Sequence, residues 1–122
     1  MMKDRAVMLS VKGLYKDFRG LKVIDNLSLD VEPKERHAII GPNGAGKTTF
    51  YNLVTGKYTP SRGRILFKGM DITGMSPERI NRLGISRSFQ ITNIFPGLSV
   101  FENVRTAVMS KYGIRYNLWK IA

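Results

Sequence analysis

The chain has 122 residues, 43% of them hydrophobic, and 20 Lys and Arg against nine Asp and Glu give a formal charge of +11. This length suits one modest domain, and no apolar run approaches the roughly 20 residues of a membrane-spanning helix. The N-terminus lacks the apolar stretch of a secretory signal, and no cysteine is present to form a disulfide framework. The sequence therefore predicts a protein of the reducing cytoplasm that is not itself integral to the membrane.

The excess of basic residues raises the question of nucleic-acid binding. The basic residues are scattered singly, and no ladder of aromatic residues alternates with them as stacking platforms for bases would require. A basic surface equally suits phosphate ligands or the cytoplasmic face of a membrane complex, where anionic lipids attract cations. The pattern disfavours direct nucleic-acid binding but leaves it as a third, minor reading, which strong salt-dependent RNA binding would support.

The first third of the chain has the pattern of strands. Apolar and polar residues alternate over residues 9–12 and 27–32, which is typical of half-buried strands. A turn at Pro33 leads to the short apolar run 36–40, which predicts a fully buried strand. A helix is predicted over residues 47–55, with Gly56 in the C-terminal capping position.

Between that predicted strand and helix lies the most informative motif of the chain. Residues 41–49 read GPNGAGKTT and fit the pattern G-x-x-x-x-G-K-[ST] at every fixed position. The glycines let the N–H groups of residues 44–48 turn inward around phosphates, and a larger residue at Gly44 or Gly46 would obstruct that turn. Lys47 places a cation on the outer phosphates. The motif predicts a site for a nucleoside triphosphate, with the Thr48 hydroxyl positioned to bind Mg2+.

The second half of the chain predicts shorter elements. A strand is expected over residues 64–68, and a helix begins with Ser76 as N-cap and Pro77 at the first helical position. Residues 85–89 read as a strand and residues 90–97 as a loop. Ser99 and Glu102 have the spacing of a capping box. The helix that this box starts runs to about residue 111, and its apolar face is expected to be core: Val100, Val104, Ala107 and Val108.

Segments on both sides of the phosphate loop resemble those of an ATP-binding cassette (ABC) ATPase. More narrowly, the segment GISRSFQ and the later SVFENV resemble the ATP-binding subunits of branched-chain amino-acid importers. The matching segments are 13–18 (GLYKDF), 41–49, 63–69 (GRILFKG), 84–90, Phe95 and 99–104. The resemblance implies an α/β fold of the P-loop NTPase class, namely an ABC-type ATPase core with an N-terminal antiparallel β subdomain.

The resemblance also implies roles for single residues, with ATP and Mg2+ as cofactors. Phe18 would stack on adenine, although it could instead be a packing aromatic, and Thr49 would add a hydroxyl to the innermost phosphate, although it could cap its own helix. Gln90 would reach Mg2+ and the attacking water, because an amide can bind a metal through oxygen and orient water through its N–H groups. Its alternative is an ordinary solvated loop glutamine. Lys47 and Gln90 are thus the catalytic candidates, and Thr48 and Gln90 the metal ligands. The implied nucleotide contacts are Phe18, Gly41, Asn43, Gly44, Ala45, Gly46, Lys47, Thr48 and Thr49.

His37 is the only histidine and hence a natural candidate for a general base. It precedes the phosphate loop, however, and a catalytic histidine must come within hydrogen-bond reach of the reacting proton. We interpret His37 as structural.

Other parts of the ABC pattern do not occur in these 122 residues. There is no L-S-G-G-Q signature, no apolar strand ending in Asp-Glu and no later switch histidine. The sequence is therefore expected to form the N-terminal half of one ABC ATP-binding domain over residues 1–122, truncated before the signature and the second carboxylate motif. Its expected parts are the β subdomain (8–32), the strand-loop-helix unit (36–56), strands and a short helix leading to the glutamine loop (63–90) and a helix (99–111).

Two functions from different classes follow from these observations. The first is an ATP-binding subunit that couples ATP binding and hydrolysis to import of a small solute, with branched-chain amino acids favoured. The resemblance then implies transmembrane permease subunits and a second ATP-binding subunit as partners, at the inner face of the cell membrane. The second is a truncated nucleotide-binding fragment that does not hydrolyse ATP, because phosphoryl transfer needs groups that this segment lacks.

Overall fold

A computed structural model describes residues 7–88 and 94–112. The chain divides into two compact units, residues 1–86 and residues 87–122. The first unit contains every described element except the last helix. In chain order the elements are β1 (Leu9–Phe18), β2 (Leu21–Val31), α1 (Lys47–Val54), β3 (Arg62–Phe67), β4 (Met70–Asp71), α2 (Pro77–Leu83) and α3 (Val100–Lys111).

The strands of the first unit form one antiparallel sheet in the order β2-β1-β3-β4. β1 and β2 are joined by a two-residue turn in which Arg19 and Gly20 have φ angles of 48° and 89°. Positive φ at both turn positions gives the hairpin the twist that matches its strands. β3 pairs with the other edge of β1, with Leu9 opposite Phe67. The antiparallel β subdomain is thus confirmed, and it also includes β3 and the short β4.

The core of the first unit lies where the sheet meets α1 and α2. Nine apolar side chains are buried there, and burying one such side chain contributes about 1.5–3 kcal/mol. Because α1 supplies three of them, its position is fixed by the core. The buried side chains are Val11, Leu14, Ile24, Phe50, Leu53, Val54, Ile65, Ile72 and Ile80.

The predicted C-terminal cap of α1 and the predicted start of α2 are confirmed. α1 is followed by Gly56, whose φ of 77° is a left-handed conformation that glycine adopts readily. A Cβ at this position would lie 2.4 Å from the carbonyl oxygen of Met75, so α1 ends in close contact with the segment before α2. α2 has Ser76 as N-cap and Pro77 in its first turn, and it ends at Gly84 with φ 112°.

The capping box at the start of α3 is also confirmed. The Ser99 hydroxyl accepts a hydrogen bond from the Glu102 backbone N–H at 3.2 Å, and the Glu102 carboxylate accepts one from the Ser99 N–H at 2.8 Å. The expectation that the apolar face of α3 is core is wrong: Val100 is 82% exposed and Val104 is 58% exposed. Among the described residues of the second unit there is no second helix or strand to cover this face.

Two predicted strands are not formed. Residues 36–40 have no regular secondary structure, and Ile40 is 93% exposed rather than buried. Residues 85–88 are likewise irregular, while residue 89 lies outside the described residues. A strand exists only through hydrogen bonds to a neighbouring strand, and the sheet of the described residues consists of β1 to β4 alone. Apolar composition cannot supply that neighbour.

None of the helices in the described ranges, 7–88 and 94–112, combines the length and apolar character needed to cross a bilayer.

The close contact between β3 and β1 at Gly63 leads to a prediction about stability. Gly63 has φ 96°, and a Cβ there would lie 2.3 Å from the carbonyl oxygen of Gly13. Gly63→Ala should lower the free energy of unfolding by about 2–5 kcal/mol, because overpacking adds to the left-handed backbone cost. Gly69→Ala is the matched control, since Gly69 has φ 78° with nothing within 4 Å of its Cβ position. Urea denaturation of both variants measures the difference, and equal losses would contradict the contact.

The Asp71 carboxylate makes a prediction about pH. Hydrogen bonds from the side chain and backbone of Thr73, and then from Arg64, lower the pKa of Asp71 to about 2. Because the pKa of an unfolded aspartate is about 3.9, this carboxylate stabilises the fold above that pH. The contribution is lost as the pH falls towards the folded value. Asp71→Asn should therefore flatten the acid limb of stability against pH, measured by thermal unfolding. An unchanged acid limb would contradict this assignment.

Candidate phosphate-binding site

The loop before α1 is shaped by two glycines. Gly44 and Gly46 have φ angles of 82° and 90°, in the left-handed region that favours glycine. At Gly46 a Cβ would also lie 3.0 Å from the carbonyl oxygen of Val23 in β2, whereas at Gly44 it would meet nothing within 4 Å. Gly44 is therefore required by its backbone conformation, and Gly46 both by conformation and by contact with β2.

The N-terminus of α1 presents unpaired donors. The N–H groups of the first helical turn have no acceptor within a helix, and here the N-cap is Gly46, which has no side chain to accept from them. The first turn contains no acidic residue, so no carboxylate competes for this end of the helix. The helix dipole adds a partial positive charge. These features together favour the binding of an anion, and of phosphate in particular.

Lys47 spans the loop from the start of α1. Its Nζ donates hydrogen bonds to the carbonyl oxygens of Gly41 and Pro42, the second over 2.6 Å. The Lys47 side chain thus joins the beginning of the loop to its end and keeps the ammonium group at the loop. An additional positive charge stands beside the donors of α1 as a result.

The structure brings most of the predicted phosphate contacts to one small cavity of about 180 Å3. Ala45 instead lines a neighbouring groove, and Gly41 belongs to the site through its bond to Lys47. Val23 also lines the cavity and was not predicted, because no sequence motif connects this strand residue to a loop that begins 18 positions later. The cavity is lined by Val23, Asn43, Gly44, Gly46, Lys47, Thr48 and Thr49.

The residues at this cavity fit Mg2+ that is held jointly with a nucleotide. Thr48 is exposed in the first turn of α1 and offers a hydroxyl oxygen, a hard neutral ligand. Mg2+ usually binds one or two protein oxygens, substrate phosphates and waters rather than an all-protein cage. Residues 7–88 and 94–112 contain no group of three or more acidic, His or Cys side chains that could hold a metal ion by themselves.

The other predicted site residues lie outside this cavity. Phe18, at the end of β1, remains 37% exposed and packs edge to face against Tyr58, so it is not a core residue. His37 forms a contact of 3.0 Å between its Nδ1 and the Glu35 carboxylate, in line with a structural role. Gln90 lies outside the described residues, and its role stays a prediction.

A left-handed glycine turn, a bridging lysine and a threonine at the N-terminus of a helix define a P-loop nucleotide-binding protein. The family model described as ABC transporter matches residues 24–122. The chain belongs to this family.

Several curated proteins are similar to this chain in sequence. The high-affinity branched-chain amino acid transport ATP-binding protein LivG of Escherichia coli K12 is 42% identical over 100 residues, which are 82% of this chain and 39% of that protein. BraF of Pseudomonas aeruginosa, which has the same description, is 41% identical over 82% of this chain and 39% of its own length. A protein of Agrobacterium fabrum named for ribose/galactose/methyl galactoside import is 39% identical over 85% of this chain and 21% of its own length.

Solved structures agree with these relatives. A nucleotide-free ATP-binding cassette from an ABC transporter matches with a TM-score of 0.68 and 30% identity, over 82% of this chain and 46% of that one. An ATP-binding subunit of an ABC transporter matches with a TM-score of 0.75 and 29% identity, over 85% of this chain and 42% of that one. The P-loop ATPase fold is thereby confirmed. The chain spans 39% of the length of the LivG relatives.

Proposed function

We propose that this chain is the nucleotide-binding portion of an ABC ATP-binding subunit that binds ATP with Mg2+ and serves the import of branched-chain amino acids. The observation that carries the proposal is the phosphate loop, where Lys47 joins both ends of the loop at the open N-terminus of α1. Family membership supports the nucleotide, and the names of the LivG and BraF relatives support the amino-acid cargo.

Each residue of the loop has a separate role in this proposal. The first-turn N–H groups and the glycine backbone bind phosphate oxygens, and the Lys47 ammonium neutralises the outer phosphates. The Thr48 hydroxyl supplies one oxygen for Mg2+, and Thr49, half-buried beside it, contacts the innermost phosphate. The bound metal would offset the negative charge of the phosphates.

The chemistry proposed for the whole protein is ATP hydrolysis. Phosphoryl transfer depends mainly on positioning and on charge stabilisation, because the transferred group has a loose transition state. Lys47 is already held at the loop, so it would need little reorganisation to stabilise developing charge. Gln90 is proposed to orient the attacking water.

The proposed partners are those of an importer. They comprise transmembrane permease subunits and a second ATP-binding subunit, with the protein located at the cytoplasmic face of the membrane. The names of the relatives from Escherichia coli and Pseudomonas aeruginosa, which describe transport of branched-chain amino acids, support this assignment. Amino acids are favoured over sugars because these relatives are more similar than the one named for sugar import.

Ligand-induced thermal stabilisation tests the nucleotide site. Mg-ATP should raise the melting temperature of the chain by about 8–16 °C at a 100-fold excess over its Kd, because it binds only the folded state. Lys47→Ala should abolish this shift. Lys57→Ala is the control, since Lys57 is an exposed lysine just beyond the opposite end of α1. Differential scanning fluorimetry measures each shift.

Lys47 also bonds to the loop carbonyls, so its replacement can change stability without ligand. For that reason each variant is compared with its own ligand-free baseline. A shift of equal size in Lys47→Ala and the unsubstituted chain would contradict the proposed site, as would the absence of any shift in the unsubstituted chain.

A further inference from the structure

Three side chains meet at the tip of the β1–β2 hairpin. The rings of Phe18 and Tyr58 pack edge to face, with centroids 5.3 Å apart and planes at 75°. The Lys16 Nζ lies over the Phe18 ring, 4.8 Å from its centroid. A cation over an aromatic face is attracted by the negative charge of the π system. Phe18 is therefore contacted both by an aromatic ring and by a cation.

The cation itself is held in place. The Lys16 Nζ donates a hydrogen bond of 2.8 Å to the carbonyl oxygen of Thr59, the residue that follows Tyr58. The backbone N–H of Asp17, the residue after Lys16, donates a hydrogen bond of 3.1 Å to the Ser61 hydroxyl. The segment containing Tyr58 is thus tied to the hairpin by bonds from both residues that precede Phe18. The orientation of the Phe18 ring is consequently restricted.

Despite these contacts, 37% of Phe18 remains exposed. An aromatic residue that only filled the core would be covered, as Phe50 is at 5% exposure. A ring that is fixed by neighbours and open to solvent can stack on a planar ligand with little further loss of conformational freedom. A nucleotide base is a planar ligand of this kind, and the family resemblance implies stacking on adenine for Phe18.

We propose that Lys16 and Tyr58 are positioning residues that orient Phe18 for stacking on the base of the bound nucleotide. This inference rests on the proposed function, in which the phosphates of that nucleotide occupy the loop before α1, and on the stacking role that the resemblance implies for Phe18. Lys16 acts through Phe18 and does not contact the phosphates. It therefore contributes to recognition of the base and not to retention of the triphosphate.

A purely structural role for Lys16 makes a different prediction. If Lys16 only joined the hairpin to residue 59, its loss would lower the affinity of the folded chain for every ligand by the same factor. Positioning of Phe18 should instead affect ligands that carry a base and spare those that do not. Mg-ATP and Mg-tripolyphosphate form such a pair, because tripolyphosphate has the phosphate chain without nucleoside.

Isothermal titration calorimetry with both ligands on the 122-residue chain tests the proposal. Lys16→Met should weaken Mg-ATP by about 2–5-fold, the range of an exposed cation–π contact, and leave tripolyphosphate unchanged. Lys16→Arg, which keeps the cation and a donor, should restore the affinity for ATP. Tyr58→Leu should follow the pattern of Lys16→Met, and Phe18→Leu should weaken ATP by about tenfold or more.

Lys22→Met is the matched control. Lys22 lies on the same hairpin, and its Nζ pairs with Asp25 at 3.3 Å. This variant should leave both affinities unchanged.

Three results would overturn the inference. Equal weakening of ATP and tripolyphosphate by Lys16→Met would show a structural tie, and unchanged ATP affinity in Lys16→Met would show no role at all. If Lys16→Met weakens ATP binding and Lys16→Arg does not restore it, the positive charge of Lys16 has no role in base recognition. If the unsubstituted chain binds neither ligand, the proposed phosphate site itself fails, and this outcome is distinct from a failure confined to Lys16.

Discussion

The contact between the phosphate loop and strand β2 is the constraint on which the site depends. At Gly46 a Cβ would lie only 3.0 Å from the Val23 carbonyl oxygen, and the same residue is the N-cap of α1. The core holds α1 through Phe50 and Leu53, one turn or two beyond the loop. Consequently the packing of a few apolar side chains fixes the place where the helix begins. The backbone N–H donors of the first turn of α1 are therefore carried by a rigid helix, as precise binding requires.

The same sheet connects the phosphate loop to the hairpin tip. β2 contacts the loop through Val23, and the Arg19-Gly20 turn joins the start of β2 to Phe18 at the end of β1. β1 is paired with β2 on one side as far as Phe18 and with β3 on the other side as far as Tyr15. A phosphate site and an exposed aromatic ring therefore lie on one folded unit. Recognition of phosphate and of base can be assigned to separate side chains of that unit.

Sequence reasoning succeeded where the determining interaction is local. The glycine turn, the N-cap of α2 and the capping box of α3 each depend on residues within a few positions of one another. It failed at residues 36–40 and 85–88, because a strand needs a partner that an apolar run does not specify. Helical spacing wrongly predicted Val104 to be buried, since spacing shows which residues share a face but not what covers that face. Sequence reasoning did not identify Lys16, Tyr58 or Val23 as candidate site residues, because only their tertiary contacts connect them to the site.

The most direct test of this account is a calorimetric comparison of ATP, ADP and AMP, each with Mg2+, on the 122-residue chain. The N–H groups of the loop and Lys47 act on phosphates beyond the first, so the presence of a second phosphate should govern the affinity. The account predicts that ATP and ADP bind with similar Kd values, and that AMP binds at least about tenfold more weakly. Equal affinity for all three nucleotides would contradict it, because the base or ribose would then carry the binding and the phosphate loop would not.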